Sequence, residues 1–342
     1  MPRLDQPFRD DTTIQIRGRR VPFLELRRIR RRDYYLLHSV GSPHRQRFRA
    51  FDPFAGPGGD FFQVQFWSDD ATADRNLRLL KRFKDDAFPR VVEWERHVAG
   101  HAVALTWVDG ISLAEYFDHL RQGRRPAVDP GQAVRLVRGL ANGVCHLHKD
   151  LRICHGDIQP ANIILTSHPS RLALIDFGSA WTYESAVSRD KGDGVHPSYS
   201  APEVLASHCS SGFHADQFSV SVLLYELLTQ QLPYQGLGGQ AGLPPWSKSA
   251  AQALVPPSAL TQVGGRLPRR LKQQLDEVVL RGLALTPEKR FSDRHAWLDA
   301  LFELHARFRL PNEASHGDHW LTRLIAWCNV GPRSRGKHEA EQ

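Results

Sequence analysis

The chain has 342 residues, of which 41% are hydrophobic and 24% charged, a globular composition that excludes disorder throughout. This length suits one large domain of two lobes, or two ordinary domains. No apolar run of about 18 residues or more occurs, and residues 1–11 lack the apolar segment of a secretory signal, so we expect no membrane span and no leader. The four cysteines show no metal-ligand spacing, which predicts reduced thiols in a cytoplasmic protein.

The formal net charge of +8 is concentrated at one end of the chain. Residues 1–49 contain 13 Arg and 5 acidic residues, whereas the rest contains 32 basic and 32 acidic residues. Residues 1–32 are predicted to be an Arg-rich extension that forms a solvated arm, with docking to an acidic partner as the alternative. Nucleic acid is not expected as a partner, because no aromatic residues are interleaved with the basic run at residues 27–32.

In chain order, the predicted elements change from strands to helices near residue 110. Strands are predicted at residues 13–17, 34–40, 47–51, 61–67 and 103–107, with one helix at residues 74–83. Helices are predicted at residues 133–148, 218–228, 271–282 and 294–308, the second of them buried because it is apolar nearly all round. Residues 229–265 carry a single charge and many Gly and Pro, which predicts a long loop region, and residues 309–342 form a polar tail.

Three short motifs follow one another in the second half of the chain. His155-Gly156-Asp157 begins a loop that reaches Asn162, Asp176-Phe177-Gly178 follows a β-like stretch, and Ala201-Pro202-Glu203 comes third. Each motif alone is weak evidence, since Asp and Asn favour turns. In this order and with these gaps, they resemble the motifs of the eukaryotic-type (Ser/Thr) protein kinase family, and the resemblance covers about residues 33–308.

The resemblance implies an α+β, bilobal fold. A small β-rich N-lobe would cover residues 33–110, and a larger α-helical C-lobe would cover residues 111–308. Residues 1–32 and 309–342 would flank this domain. The nucleotide cleft would lie between the two lobes.

The resemblance also implies transfer of the ATP γ-phosphate to a protein hydroxyl. This reaction needs a metal to neutralise phosphate charge and a group to orient the hydroxyl. Asp157 would orient the hydroxyl, with Gln159 beside it in the place of a lysine. Asn162 and Asp176 would hold Mg²⁺ or Mn²⁺, because their oxygen atoms suit a hard cation.

Other positions match residues that build the kinase fold. By the resemblance, Glu203 would pair with Arg290, and Asp216 would brace the backbone of the catalytic loop. His155, Phe177 and Leu80 would belong to the hydrophobic stack that joins the lobes.

The first half of the chain departs from the family at the positions that hold phosphate. Residues 41–48 keep one glycine of the glycine loop, and Arg45 stands at the third glycine position. Gln65 stands for the strand lysine, and no alignment restores it, because the first Lys of the chain is Lys81. Asn76 fits the place of the helix Glu. A Gln65–Asn76 hydrogen bond would replace the usual ion pair without leaving a buried charge.

Further departures surround the expected nucleotide and substrate positions. Gln63 replaces a small residue beside the adenine and Arg47 an apolar one above it, so both would crowd the pocket. His196 replaces the substrate-loop Thr. Gly156 replaces the Arg that receives an activation-loop phosphate, so switching by that phosphate is not expected.

Two main functions are consistent with this pattern. With-no-lysine kinases, a branch of the family, supply the phosphate-binding cation from the glycine loop, and Arg45 falls at the matching position, with Arg47 and Arg49 nearby. The sequence thus predicts an ATP-dependent protein Ser/Thr kinase whose cofactor site includes Arg45 and Gln65. The alternative is a pseudokinase that acts as a binding or scaffold module, in which these are exposed strand arginines.

A small-molecule kinase is a third hypothesis. The sequence His155-Gly156-Asp157 is also usual in enzymes similar to aminoglycoside phosphotransferases. Ala201-Pro202-Glu203 together with Arg290 instead favours a protein substrate.

Overall fold

The computed structural model describes residues 12–40, 46–83, 88–97, 100–167, 169–183, 196–207, 212–249, 253–260, 263, 265 and 267–309. Arg45, the predicted phosphate-binding cation, lies outside these residues, as do residues 41–44. The described part contains a β-rich lobe followed by a mainly helical lobe, which confirms the expected α+β, bilobal fold. None of the described helices combines the length and the apolar character needed to cross a membrane.

The small lobe is built mainly of antiparallel strands. Its elements are β1 (Thr13–Ile16), β2 (Arg19–Pro22), β3 (Glu25–Ile29), β4 (Arg32–Ser39), β5 (Arg47–Asp52), β6 (Asp60–Trp67), α1 (Asp70–Leu80), β7 (Val91–His97) and β8 (Gly100–Thr106). Six of these strands form one sheet in the order β3-β4-β5-β6-β8-β7.

The large lobe is mainly helical. Its helices are α2 (Leu113–Arg121), α3 (Pro130–Lys149), α4 (Pro202–Ser207), α5 (Phe213–Thr229), α6 (Arg269–Gly282) and α7 (Arg294–Arg309). Its strands are short: β9 (Ile111–Ser112), β10 (Ile153–Cys154), β11 (Ile163–Ser167), β12 (Ser170–Leu174) and β13 (Trp181–Thr182).

The two faces of the six-stranded sheet differ in chemistry. One face carries an apolar core formed by Ile29, Tyr34, Leu36, Ala50, Phe62, Val64, Ala102 and Ala104. On β5 and β6, the register pairs Arg47 with Gln65 and Arg49 with Gln63. Because side chains alternate along a strand, these four polar residues share the opposite face. That face is turned toward the large lobe.

The small lobe includes strands that lie before residue 33. β3 pairs with β4 and forms one edge of the sheet, and Ile29 is fully buried. The β1–β2 hairpin packs Ile16 against Leu37 and Phe51. The sequence predicted an extension outside the domain here, because the arginines of these strands outnumber the few apolar residues that anchor them.

The centre of the large lobe is α5. Nearly all of its residues are buried, as its apolar sequence predicted. Helix α5 packs against α3. Helix α3 begins after Asp129, whose side chain accepts a hydrogen bond from the Gln132 backbone N–H. The region predicted as a loop at residues 229–265 contains short 3₁₀ turns at Gly238–Gly242, Trp246–Lys248 and Pro257–Ala259.

Candidate active site

A cleft of ≈ 820 Å³ lies between the two lobes, a volume large enough for a nucleotide. The small lobe contributes His38, Val40, Arg47, Arg49 and Gln63 to its lining. The large lobe contributes Asp157, Gln159, Asn162, Ile164, Ile175 and Asp176. The predicted catalytic and metal-binding residues are therefore gathered at one cleft.

Asp157 is held in place from both sides of its carboxylate. Gln159 donates through Nε2 to Oδ1 at 2.7 Å, and Asn162 donates through Nδ2 to Oδ2 at 2.9 Å. Asn162 Nδ2 also donates to the Asp157 carbonyl oxygen at 2.9 Å. Burial raises the pKa of Asp157; His155, Asn162 and Gln159 oppose this effect, and the charge of Asp176 adds to it. A raised pKa and a fixed orientation suit a group that accepts a hydroxyl proton.

The backbone of the loop that begins at His155 is held in place by Asp216. The carboxylate accepts hydrogen bonds from the backbone N–H groups of His155 at 2.8 Å and Gly156 at 2.9 Å, and contacts His148 Nε2 at 2.8 Å. Burial alone would raise the pKa of Asp216, but the hydrogen bond and charge of His148 hold it below its ordinary value. The structure thus gives Asp216 the bracing position that the resemblance implied.

Asp176 is directed into the cleft by its backbone conformation. Its φ angle is 60°, which lies in the left-handed region, and its Oδ1 accepts a hydrogen bond from the Gly178 backbone N–H at 3.1 Å. The next residue, Phe177, packs the other way, with its ring 4.9 Å from that of His155 and 4.4 Å from that of Phe83. Phe177 and His155 of the expected stack are therefore in contact, and Phe83, which was not predicted, also packs against Phe177.

Arg47 forms a two-point ion pair with Asp176. Its Nη1 lies 2.5 Å from Oδ2, and its Nη2 lies 2.5 Å from Oδ1. Arg47 is only 8% exposed. A cation from β5 in the small lobe is thus bound directly to the residue predicted to hold metal in the large lobe.

The arginines of β5 occupy positions that differ from the expected ones. The sequence predicted Arg47 above the adenine, but Arg47 lies opposite Gln65, the residue that stands for the strand lysine. Arg49 lies opposite Gln63, and its guanidinium carbon is 4.1 Å from the ring centre of Phe61 and 4.9 Å from that of Trp107. The alternating arginines allow either register, and pairing with β6 selects this one.

Gln65 and Asn76 do not form the predicted hydrogen bond. Gln65 Nε2 donates to Gln63 Oε1 at 2.8 Å, because residues two apart on a strand lie side by side. Asn76 Oδ1 is buried and has no hydrogen-bond partner within the described part of the chain. Both amides line a small cavity beside Asp176.

Helix α1 has an anchor that the sequence analysis missed. Asp70, in its first turn, pairs with Arg96 and contacts the buried His101 Nε2 at 3.2 Å. The sequence signal was weak, since neither partner belongs to a motif. This contact ties α1 to β7 and β8 without the usual Lys–Glu pair.

The segment before α4 is fixed next to the catalytic loop. Ser198 donates its backbone N–H to His196 Nδ1 at 3.3 Å, and Tyr199 donates its hydroxyl to Glu226 at 2.7 Å. Burial lowers the pKa of His196, although the charge of Asp157 acts in the opposite direction. His196 therefore belongs to the electrostatic surroundings of Asp157.

Glu203 and Arg290 form the ion pair that the resemblance implied. The two N–O distances are 2.7 and 2.9 Å, and Arg290 is 1% exposed. Arg290 also donates to the carbonyl oxygens of Ala284 and His214. This pair fixes the start of α4 to the large lobe.

The side-chain oxygen atoms of Asn162 and Asp176 suit a divalent metal ion, but Arg47 already contacts Asp176. Asn162 uses Nδ2 toward Asp157, and its Oδ1 accepts no hydrogen bond from any described residue. That oxygen and the Asp176 carboxylate are ligands of the kind Mg²⁺ prefers. Arg47, however, engages both carboxylate oxygens of Asp176, so a metal ion and Arg47 would compete for the same group.

Known proteins resemble this chain over most of its length. The serine/threonine-protein kinase PknI of Mycobacterium tuberculosis is 28% identical over 294 residues, which is 83% of this chain and 41% of PknI. The serine/threonine-protein kinase pkn2 of Myxococcus xanthus is 30% identical over 238 residues, which is 68% of this chain and 27% of pkn2. The chain thus spans less than half the length of these curated relatives.

The solved kinase domain of M. tuberculosis PknI has the same fold. The TM-score is 0.53 at 22% identity, and the match covers 79% of this chain and 96% of that domain. The protein kinase domain family matches residues 64–302, beginning within β6 and after the arginines of β5. This chain therefore belongs to the protein kinase family, as a divergent eukaryotic-type member with an unusual small lobe.

Proposed function

We propose that this chain is an ATP-dependent Ser/Thr protein kinase. One observation carries the proposal: Asp157 lies at the cleft with both carboxylate oxygens held by Gln159 and Asn162. A carboxylate with a fixed orientation is what transfer to a hydroxyl group needs. Its raised pKa favours acceptance of the proton.

The other cleft residues have separate roles in this proposal. Asn162 and Asp176 hold Mg²⁺ or Mn²⁺, which when bound would neutralise charge on the phosphates. Arg47 is the cation in the place of the strand lysine, because it lies opposite Gln65. Arg45 lies outside the described residues, and its contribution stays a prediction, as does that of Gln65.

The protein substrate would bind along the segment that precedes α4. His196, Tyr199 and the Glu203–Arg290 pair hold this segment beside Asp157. Arg19, Arg20, Arg27 and Arg28 are exposed on β2 and β3, which supports an acidic partner for the small lobe.

A pseudokinase with a scaffold role is the second candidate function. The roof of the cleft favours it, because Gln63 and Arg49 put polar and charged groups where the family has small and apolar ones. Arg49 is held against Phe61 and Trp107. Such a roof would weaken the binding of an adenine ring.

Radiolabelled ATP tests the proposed activity. The full chain is incubated with labelled ATP and either Mg²⁺ or Mn²⁺, and label is measured on the chain itself and on casein. Asp157→Asn should lower transfer by about 100-fold or more, because the proton acceptor is lost. The matched control is Asp118→Asn on the exposed surface of α2, which should keep the wild-type rate. Absence of transfer by the wild type with both metals would overturn the proposal.

Thermal unfolding with and without Mg-ATP separates the two candidates. A ligand that binds the native state must raise the melting temperature. A rise of several degrees together with transfer supports the kinase. No rise and no transfer support the scaffold.

A further inference from the structure

The Arg47–Asp176 pair places a cation next to the predicted metal-binding carboxylate. The guanidinium contacts both oxygens of Asp176 at 2.5 Å, and the two side chains are 10% and 9% exposed. Two cations that need the same two oxygen atoms repel each other at such distances. Asp176 can therefore give its full carboxylate to Arg47 or to a metal ion, and not to both at once.

The residues that stand in place of the Lys–Glu pair are neutral, so the charge balance at Asp176 depends more strongly on Arg47. In place of a Lys–Glu pair, Gln65 and Asn76 carry no charge and line the small cavity beside Asp176. Arg47 thus offsets the negative charge of Asp176, and Asn76 of α1 offers no carboxylate to share it. A polyphosphate entering the cleft would meet a neutralised Asp176 and a guanidinium whose planar fork also fits phosphate oxygens.

We propose that Arg47 takes over the charge-neutralising role of a divalent metal during nucleotide binding, so that the cleft binds nucleoside triphosphates without Mg²⁺. The inference rests on the proposed function in taking this cleft as the nucleotide site. Metal binding requires Arg47 to leave Asp176, because both cations need the same oxygen atoms.

The test is ATP binding by isothermal titration calorimetry, in EDTA and in MgCl₂. For the wild-type chain, Mg²⁺ should change the affinity by less than about threefold. Arg47→Ala should lower the affinity in EDTA by about 30-fold, the effect of losing a charge-assisted contact to phosphate. Adding Mg²⁺ should then raise the ATP affinity of Arg47→Ala by about tenfold, because the arginine no longer occupies the Asp176 oxygens that a metal ion needs.

Two further variants keep the test interpretable. Arg47→Lys retains the charge, should fold, and should keep ATP affinity in EDTA within about tenfold of wild type. Arg75→Ala removes an exposed arginine of α1 and should bind like wild type in both conditions. Melting curves of all variants show whether each is folded at the titration temperature.

Several results would overturn the inference. The first is no ATP binding in either condition. The second is a rise in ATP affinity above about tenfold when Mg²⁺ is added to the wild type, and the third is an equal loss of ATP affinity for Arg47→Ala with and without metal. Phosphate transfer by a chain that binds ATP only with Mg²⁺ would leave the proposed function standing and reject this inference. Metal-free binding without transfer would support the inference and reject the kinase activity.

Discussion

The guanidinium of Arg47 and the carboxylate of Asp176 are joined by two parallel contacts of 2.5 Å across the cleft. Arg47 belongs to β5 of the small lobe, and Asp176 follows β12 in the large lobe. The pair is therefore both a feature of the candidate site and a link between the lobes.

Arg47→Ala should destabilise the protein by about 3 kcal/mol, because it leaves the carboxylate of Asp176 buried without its cation. The double variant Arg47→Ala/Asp176→Ala should lose less than the sum of the single losses, with a coupling energy of about 1–3 kcal/mol. Chemical denaturation of the four proteins measures this cycle. Strictly additive losses would show that the two side chains do not interact in solution.

Gln159→Leu should move the acid limb of the pH–rate profile to higher pH. Burial raises the pKa of Asp157, and the hydrogen bond from Gln159 holds it lower than burial alone would. Since the reaction needs the ionised carboxylate, the rate falls as pH falls through the pKa of Asp157, and removing the hydrogen bond moves that fall to higher pH.

Measurement of kcat/KM from about pH 5 to 8 tests this shift. Gln122→Leu, at an exposed position after α2, is the matched control and should keep the wild-type profile. A profile that moves to lower pH in Gln159→Leu would contradict the assignment of Asp157 as the proton acceptor.

Glu203→Ala should destabilise the large lobe by about 3–5 kcal/mol, because Arg290 would become a buried cation without its carboxylate. Arg290→Lys should also destabilise the protein, since a lysine lacks the planar fork that meets both oxygens of Glu203. Urea unfolding measures both changes. Glu303→Ala, at an exposed position of α7, is the control. If Glu203→Ala lost no more stability than Glu303→Ala, the Glu203–Arg290 pair would contribute nothing.

Gly239→Ala should destabilise the protein, and Gly139→Ala should stabilise it. A Cβ at Gly239 would lie 1.7 Å from the Ser200 carbonyl oxygen, so the backbone would have to move. At Gly139, on the exposed side of α3, a Cβ meets nothing within 4 Å, and alanine favours a helix by about 0.5–1 kcal/mol. Melting temperatures of the two variants should move in opposite directions, and a common direction would contradict this packing.

Short-range order in the sequence was enough to predict the large-lobe part of the site. Asp157 and Asn162 lie on one loop, and Asp176 lies just beyond the end of β12, so their spacing along the chain largely decides their spacing in the cleft. The buried helix α5 was predictable for a different reason: its sequence is apolar nearly all round.

The small lobe was harder to predict, because its contacts join strands that are distant in sequence. The alternation of Arg45, Arg47 and Arg49 predicts that they share a strand face, but not which of them meets the phosphates. The same alternation was the signal that several arginines would line the cleft. The partner of Gln65 depended likewise on strand geometry, which favours Gln63 over Asn76.

The sequence by itself determined the family and the absence of the strand lysine, because motif order and the lack of any Lys before Lys81 hold in every register. It also determined where the excess positive charge lies. Only the tertiary structure decided that Arg47 lies opposite Gln65, because the register of β5 against β6 depends on contacts between the strands. That register brings Arg47 to Asp176, because a buried carboxylate is most stable with a cation against it.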